Sequence, residues 1–215
     1  EVGAGFVTLT DHDHITDLGP ARQQYPELAF LHGFEYSTRE NVVFCGDLVD
    51  ELFRLSLEEA LTKAGDLLTI VCHPQPMGAA REYWTRPKLE ALGTMPDGIE
   101  VYNGHYGTPT GRANGRQPLY NDFWDELLTA GHHVWGFGND DFHDPEDFSN
   151  AWNMVHVDDV SATGVVIAAK SGRSYATTGL LLEDLIVDGD HVEVHVSADA
   201  KGRFVGPGAL VLASG

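Results

Sequence analysis

Short, nearly unbroken apolar runs alternate with longer segments of helical period across residues 1–178. The runs are Gly5 to Thr10, Ala29 to Phe34, Val42 to Cys45, Leu68 to Cys72, Gly98 to Tyr102, His133 to Phe137 and Trp152 to Val157. Strands buried on both faces read this way, because neither side meets water. Between the runs, Ser56-Leu57-Glu58-Glu59 is a capping box that opens a helix ending near Gly65. Leu119, Phe123, Trp124, Leu127 and Leu128 recur at helical spacing between Pro118 and Gly131, and Ser161 caps a further helix that closes at Gly172. The alternation predicts a mainly parallel α/β sheet or barrel. Beyond residue 178 the pattern changes: Leu181 to Val187, an Asp188-Gly189-Asp190 turn and the alternating His191 to Val196 predict a β-hairpin. A last apolar run spans Ala209 to Leu212. The expected division is therefore a barrel over residues 1–178 and a small antiparallel β appendage over 179–215.

Composition narrows the function classes. The 215 residues are 42% hydrophobic and 21% charged, as in a folded globular chain. With 33 Asp and Glu against 13 Lys and Arg, the formal charge is -20, a field that repels nucleic-acid phosphates and anionic lipid. Neither nucleic acid nor membrane is expected as a partner. No run approaches the roughly 20 apolar residues of a membrane span, and no basic flank with an apolar core opens the sequence, so a cytoplasmic location is expected. Cys45 and Cys72 lie in apolar runs and read as buried thiols, a disulfide being the alternative. Eleven histidines among so many carboxylates suggest nitrogen and oxygen ligands for divalent ions.

Polar residues stand where the strands end. Thr10 runs into Asp11-His12-Asp13-His14, Phe34 into Glu35, Cys72 into His73-Pro74, Tyr102 into Asn103, and Gly138 into Asn139-Asp140-Asp141-Phe142-His143. Each has a bland reading: a turn, a helix cap, a satisfied core histidine, a solvated edge. In an α/β barrel, however, side chains from several strands converge at the carboxyl-end loops, and His, Asp, Glu and Asn there are the ligand set of a polynuclear metal site. If the segment from Asp141 to His143 is extended, both side chains leave on one side. Glu35 has two oxygens with which to bridge adjacent ions. Paired cations acidify water and stabilise a leaving group, which is hydrolytic chemistry.

In this order, Leu9-Thr10-Asp11-His12-Asp13, Gly33-Phe34-Glu35, Cys72-His73-Pro74, Ile99-Glu100-Val101-Tyr102-Asn103 and Gly138-Asn139-Asp140-Asp141-Phe142-His143 resemble motifs of the polymerase and histidinol phosphatase (PHP) superfamily of metallohydrolases. The stretch from Ala168 to Gly179 is similar to its carbaryl-hydrolase-like branch. The resemblance implies a distorted (β/α)7 barrel with two to three divalent ions (Zn, Mn or Fe) in a complete site. It implies that Glu35 bridges the first and second metals, that His73 binds the second and Asp141 the first, and that His12 with His143 holds the third. His105, His14 and Glu100 lie near the motifs but match no ligand position. The family's opening His-x-His motif has no match here, so the first barrel strand is expected to be missing. Asn41 stands where the family has a histidine, and Asn binds such metals weakly, so fewer ions are expected. An amidohydrolase-type barrel, with His12 and His14 as its first pair, is the rival reading; no convincing lysine exists for its carbamate.

The stretch from Asn103 to Arg116 carries Gly104, Gly107, Gly111 and Gly115 with Arg112 and Arg116, which suits a mobile lid whose arginines meet an anionic substrate, or simply a solvated loop. Tyr83 to Arg86 reads as a pocket wall or a packed turn. The function expected is a metal-dependent phosphoesterase acting through a metal-bound hydroxide on a small organic phosphate, with Glu35, Asp141 and His143 at the catalytic centre. Hydrolysis of a carbamate, amide or ester at the same centre, or a degenerate scaffold with eroded sites, are the alternatives. An open edge at the Gly5 to Thr10 strand is expected to be met by a homo-oligomer contact, a lost fragment or a rebuilt edge.

Overall fold

The structure, a computed structural model, describes residues 3–77 and 83–215. In chain order its elements are β1 (Phe6–Leu9), α1 (Gly19–Gln24), β2 (Ala29–Tyr36), β3 (Val42–Gly46), α2 (Leu57–Lys63), β4 (Leu68–Val71), α3 (Arg86–Glu90) and β5 (Gly98–Asn103). There follow α4 (Gly104–Gly107), α5 (Pro109–Ala113), α6 (Asn121–Thr129), β6 (Trp135–Asn139), β7 (Trp152–Val155), α7 (Ala162–Lys170), β8 (Ser174–Thr177), β9 (Leu182–Asp188), β10 (His191–Val196), β11 (Arg203–Gly206) and β12 (Leu210–Ser214).

Six strands form one curled sheet in the order β1-β2-β3-β4-β5-β6. The pairs β1/β2, β4/β5 and β5/β6 are parallel, whereas β3 runs antiparallel to both neighbours. The five residues between Tyr36 and Val42 are too few for a crossover, so the chain turns straight back. β7 and β8 pair with each other, and β1 and β6 are the edges of the sheet among the described residues.

The apolar runs are continuous because the sheet is packed on both faces. On one face Phe34 stacks on Phe44 at 5.0 Å, and Leu57, Leu61, Trp84, Leu89 and Leu127 close over them. On the other, Leu31, Cys45, Leu68, Ile70 and Phe137 meet Val165, Val166 and Ala169 of α7. Both cysteines are buried free thiols. The capping box at Ser56 forms as the sequence requires, with Ser56 Oγ accepting Glu59 N–H and the Glu59 carboxylate accepting Ser56 N–H. Ser161 likewise caps α7, which gives way to a left-handed Gly172 at φ +74°.

The hairpin β9–β10 is present, with Asp188 paired to His191 around a two-residue Gly189-Asp190 turn. The run from Ala209 to Leu212 enters β12, which pairs with β11. Both hairpins leave aliphatic side chains exposed, among them Leu185, Val187, Val192 and Val194. No helix among the described residues is long and apolar enough to cross a membrane.

The glycine-rich segment differs from expectation. It folds into two short helices, α4 and α5, in which the glycines permit close contact: a Cβ on Gly104 would lie 2.9 Å from Asp140 Cα, and one on Gly111 would lie 2.7 Å from His105 O. Glycine required by crowding has the same signature in a sequence as glycine that lends mobility.

Candidate metal centre

β1 and β2 present the first part of the site. The backbone of Asp11 to Asp13 docks on Glu35 at the end of β2: Asp13 N–H donates to Glu35 O at 3.0 Å, and Glu35 N–H to Asp11 O at 3.1 Å. The Asp13 carboxylate fixes the turn by accepting from Ser37 N–H at 3.0 Å and from the Ser37 hydroxyl. These contacts set His12 beside Glu35, with His12 Nε2 3.9 Å from Oε2 and, on the other side, His73 Nε2 3.3 Å from Oε1. The His73 contact is misaligned for a hydrogen bond, so the buried Oε1 has no donor. Burial pushes the Glu35 carboxyl up, but the contact and charge of His73, then His12 and the Asn41 amide, outweigh it and hold it below the ordinary range.

β4 and β5 build the second part. His73 N–H donates to Glu100 Oε2 at 2.6 Å, and Asn139 Nδ2 donates to Glu100 Oε1 at 2.9 Å. Asn103 uses its whole amide: Oδ1 caps α4 by accepting Tyr106 N–H at 2.9 Å, while Nδ2 donates to Glu100 Oε2 and to Asp141 Oδ2, each at 3.1 Å. Burial pushes Glu100 up to about 7, opposed by His73 and reinforced by Asp141. For His73, burial works downward, yet Glu35, Glu100 and Asp141 prevail and raise it to about 9.

The loop after β6 carries the third part. Asp140 ties it down by accepting three backbone N–H groups, from Ser149, Asn150 and Ala151. Asp141 adopts φ +50°, so the segment is not extended and the condition for Asp141 and His143 to leave on one side by strand geometry is not met. Asp13 at +46° and His73 at +24° are left-handed as well. Non-glycine residues in that region store backbone strain, and it falls here on or beside the sequence-predicted ligands. His143 Nδ1–H donates to Asp141 O at 2.7 Å. Asp147, with no exposed surface, accepts His143 N–H and Asp144 N–H on Oδ2, each at 2.8 Å, and His105 Nδ1–H on Oδ1 at 2.9 Å.

The structure therefore brings His12, Glu35 and His73 together, sets Asp141 beside His143, and joins the two groups through Glu100 and Asn103. A run of rings also connects them: His73 lies 5.5 Å from Tyr106, Tyr106 5.4 Å from His105, and His105 4.9 Å from His143. Among the described residues, the set of three candidate ligand groups drawn within 4.8 Å of one another is His105, His143 and Asp147. His105 and Asp147 were not picked out as ligands in the sequence. The signal open to it was slight: His105 follows the Asn103 cap, and Asp147 lies in an acidic turn. His14 is exposed.

The two arginines differ. Arg116 lies 4.8 Å over the Tyr106 ring and helps to line a cavity of about 350 Å³ with Met77, His105, Thr110, Gly111 and Asn114. Arg112 is exposed and donates from Nε to Gly107 O at 3.0 Å. Trp84 is fully buried and donates to Asn41 O, which makes it part of the packing, whereas Tyr83 donates its hydroxyl to the Asn41 side chain and lies 5.7 Å from the His73 ring.

No family model and no curated protein matches the chain. Among solved structures, it superposes with a TM-score of 0.61 on a two-domain protein from Bacteroides vulgatus ATCC 8482 containing a predicted PHP-like metal-dependent phosphoesterase. Identity is 19%, over 90% of this chain and 66% of that one. The two share a fold. The match thus spans just under two thirds of that protein's length.

Proposed function

We propose that this chain is a metal-dependent hydrolase, and within that class a phosphoesterase for a small organic phosphate. The observation that carries the reading is Glu35: a buried carboxylate with one oxygen lacking any donor, flanked by imidazole nitrogens at 3.3 and 3.9 Å. A buried polar atom left unmatched is costly unless something outside the chain satisfies it. Glu35, Glu100 and Asp141 also concentrate negative charge around His73, and a cation balances it. The residues fit divalent ions in kind, being carboxylates and imidazoles, with an ion taking the place of the proton that His73 otherwise holds. Glu35, His12 and His73 would hold one part of the centre, and Asp141 with His143 the other. Such ions, when bound, acidify water and stabilise charge on a phosphoryl oxygen and a leaving group.

The chain's own residues supply the rest. Glu100 and Asn103 lock the backbone of His73 and the carboxylate of Asp141 into one frame. Arg116, held over Tyr106, offers a guanidinium to an anionic substrate at the cavity it lines. The unit that does this is the sheet and its helices over residues 1–178, with 179–215 as an appendage. Zinc, manganese and iron all suit the donor set, with two or three ions in a complete centre.

The test is metal analysis combined with turnover of an aryl phosphate, an aryl phosphodiester and an aryl carbamate in the presence of Mn²⁺ or Zn²⁺. Metal-dependent hydrolysis of the phosphate is expected. Faster hydrolysis of the carbamate would move the substrate class and keep the centre, whereas full metal loading with no turnover would favour a non-catalytic scaffold.

A further inference from the structure

We propose that His105 is a metal ligand, paired with His143 and held in place by Asp147, so that the ion at this end of the centre is bound through His105 where the family resemblance would use His12. The inference rests on the metal-centre reading above and changes its ligand set.

The geometry of His105 supports this in three ways. First, its Nδ1–H is committed to Asp147 Oδ1 at 2.9 Å, which leaves Nε2 as the one nitrogen with a free lone pair. A carboxylate behind an imidazole in this manner fixes the ring and strengthens its basicity toward a metal. Second, Asp147 is wholly buried, and both of its oxygens are occupied by His105, His143 N–H and Asp144 N–H. It therefore serves as the support of the two histidines and is not itself open to an ion. Third, His143 has the same form, its Nδ1–H donated to Asp141 O at 2.7 Å, and its ring centroid is 4.9 Å from that of His105. Two imidazoles with their Nδ1 positions bound elsewhere and their rings side by side form a pair of nitrogen donors.

The chain also accommodates this placement at a cost in side-chain freedom. His105 N–H donates to Asp140 O at 2.8 Å, and the approach that allows it leaves no room for a side chain on Gly104, whose Cβ would meet Asp140 Cα at 2.9 Å. Gly111 is crowded in the same way against His105 O. His12, by contrast, is on the Glu35 side of the site, and its side chain is 55% exposed.

The experiment measures metal, not turnover. The full chain is stripped with chelator, reloaded with Zn²⁺ or Co²⁺, and analysed for ion content and for affinity by competition with a chromogenic chelator; the Co²⁺ absorption bands report on nitrogen ligation. His105→Ala is expected to lose one ion or to weaken one site by about ten- to a hundredfold, with altered Co²⁺ bands. His105→Asn, which keeps a donor for Asp147, is expected to show the same loss with the fold intact by circular dichroism. Asp147→Asn is expected to weaken that site alone. Unchanged ion content, affinity and Co²⁺ bands in both His105 variants, beside a parent that binds metal and a Glu35→Gln variant that loses it, would overturn the assignment of His105 and leave the metal centre standing. A parent that binds no ion would overturn both.

Discussion

Asn103 Nδ2 lies 3.1 Å from Asp141 Oδ2, and the same nitrogen reaches Glu100 Oε2 at an equal distance. One neutral amide thus separates two carboxylates while its oxygen caps α4. Asn103→Asp keeps the shape and the cap but sets a third negative oxygen against the other two. In the metal-free protein we expect a loss of about 3 kcal/mol, read from chemical denaturation, because the bond becomes a repulsion between buried groups. Added divalent cation is expected to recover part of it.

The metal-free protein should be destabilised as pH rises. Glu100 is raised from 4.5 to about 7 and His73 from 6.5 to about 9. Both groups hold protons more tightly in the folded state than in the unfolded one, so folding is favoured at low pH and that contribution fades between about pH 5 and 9. The Tm of chelator-treated protein should fall across that window, and saturating Zn²⁺ or Mn²⁺ should flatten the slope by taking the place of the protons. A Tm that rises from pH 5 to 9 in the stripped protein would refute this.

Gly104→Ala tests the crowding at the β5–α4 junction. The new methyl would press on Asp140 Cα, and Asp140 is tied down at both ends, its carboxylate by three N–H groups and its carbonyl by His105 N–H, so the contact cannot relax cheaply. A loss of about 1–3 kcal/mol is expected from overpacking. Gly115→Ala, at φ +77° with only Met77 near its Cβ, should cost about 1–2 kcal/mol through left-handed backbone strain instead of overpacking, and should leave metal binding untouched.

The arginines should separate kinetically. Arg116→Gln removes a guanidinium from the cavity wall, and KM for a phosphate ester should rise about ten- to a hundredfold, as expected for hydrogen bonds to a charged group. Arg112→Gln should change neither KM nor kcat appreciably, since that side chain is exposed and its Nε is bonded to Gly107 O.

The apolar runs located the central strands because β2 to β5 lie between two packed layers and so lack the alternation that would mark a solvent face. Reading the residues just past those runs then singled out Glu35, His73 and Asp141 as candidates. Strand direction was less legible: the reversal of β3 follows from the short connection after Tyr36, which apolar periodicity does not encode. The glycines between Asn103 and Arg116 suggested a loop, whereas Gly104 and Gly111 meet crowding inside two short helices, which a sequence does not distinguish from freedom. His105, in α4, and Asp147, at the end of a 3-10 turn, stand 42 residues apart and are joined by one hydrogen bond. No local pattern records such a pairing.

Asp13, His73 and Asp141 sit in a backbone region that L-amino acids tolerate poorly, and each would be relieved by glycine. At Asp13 glycine would forfeit the bonds to Ser37, but at His73 and Asp141 a selection for heat resistance alone would set relief of strain against two candidate ligands, so that rigidity and chemistry compete at those two residues. Thermostable variants that arise without any demand for metal binding are therefore expected to lose the centre first, and sequencing them would reveal which parts of the chain the molecule keeps only for its chemistry.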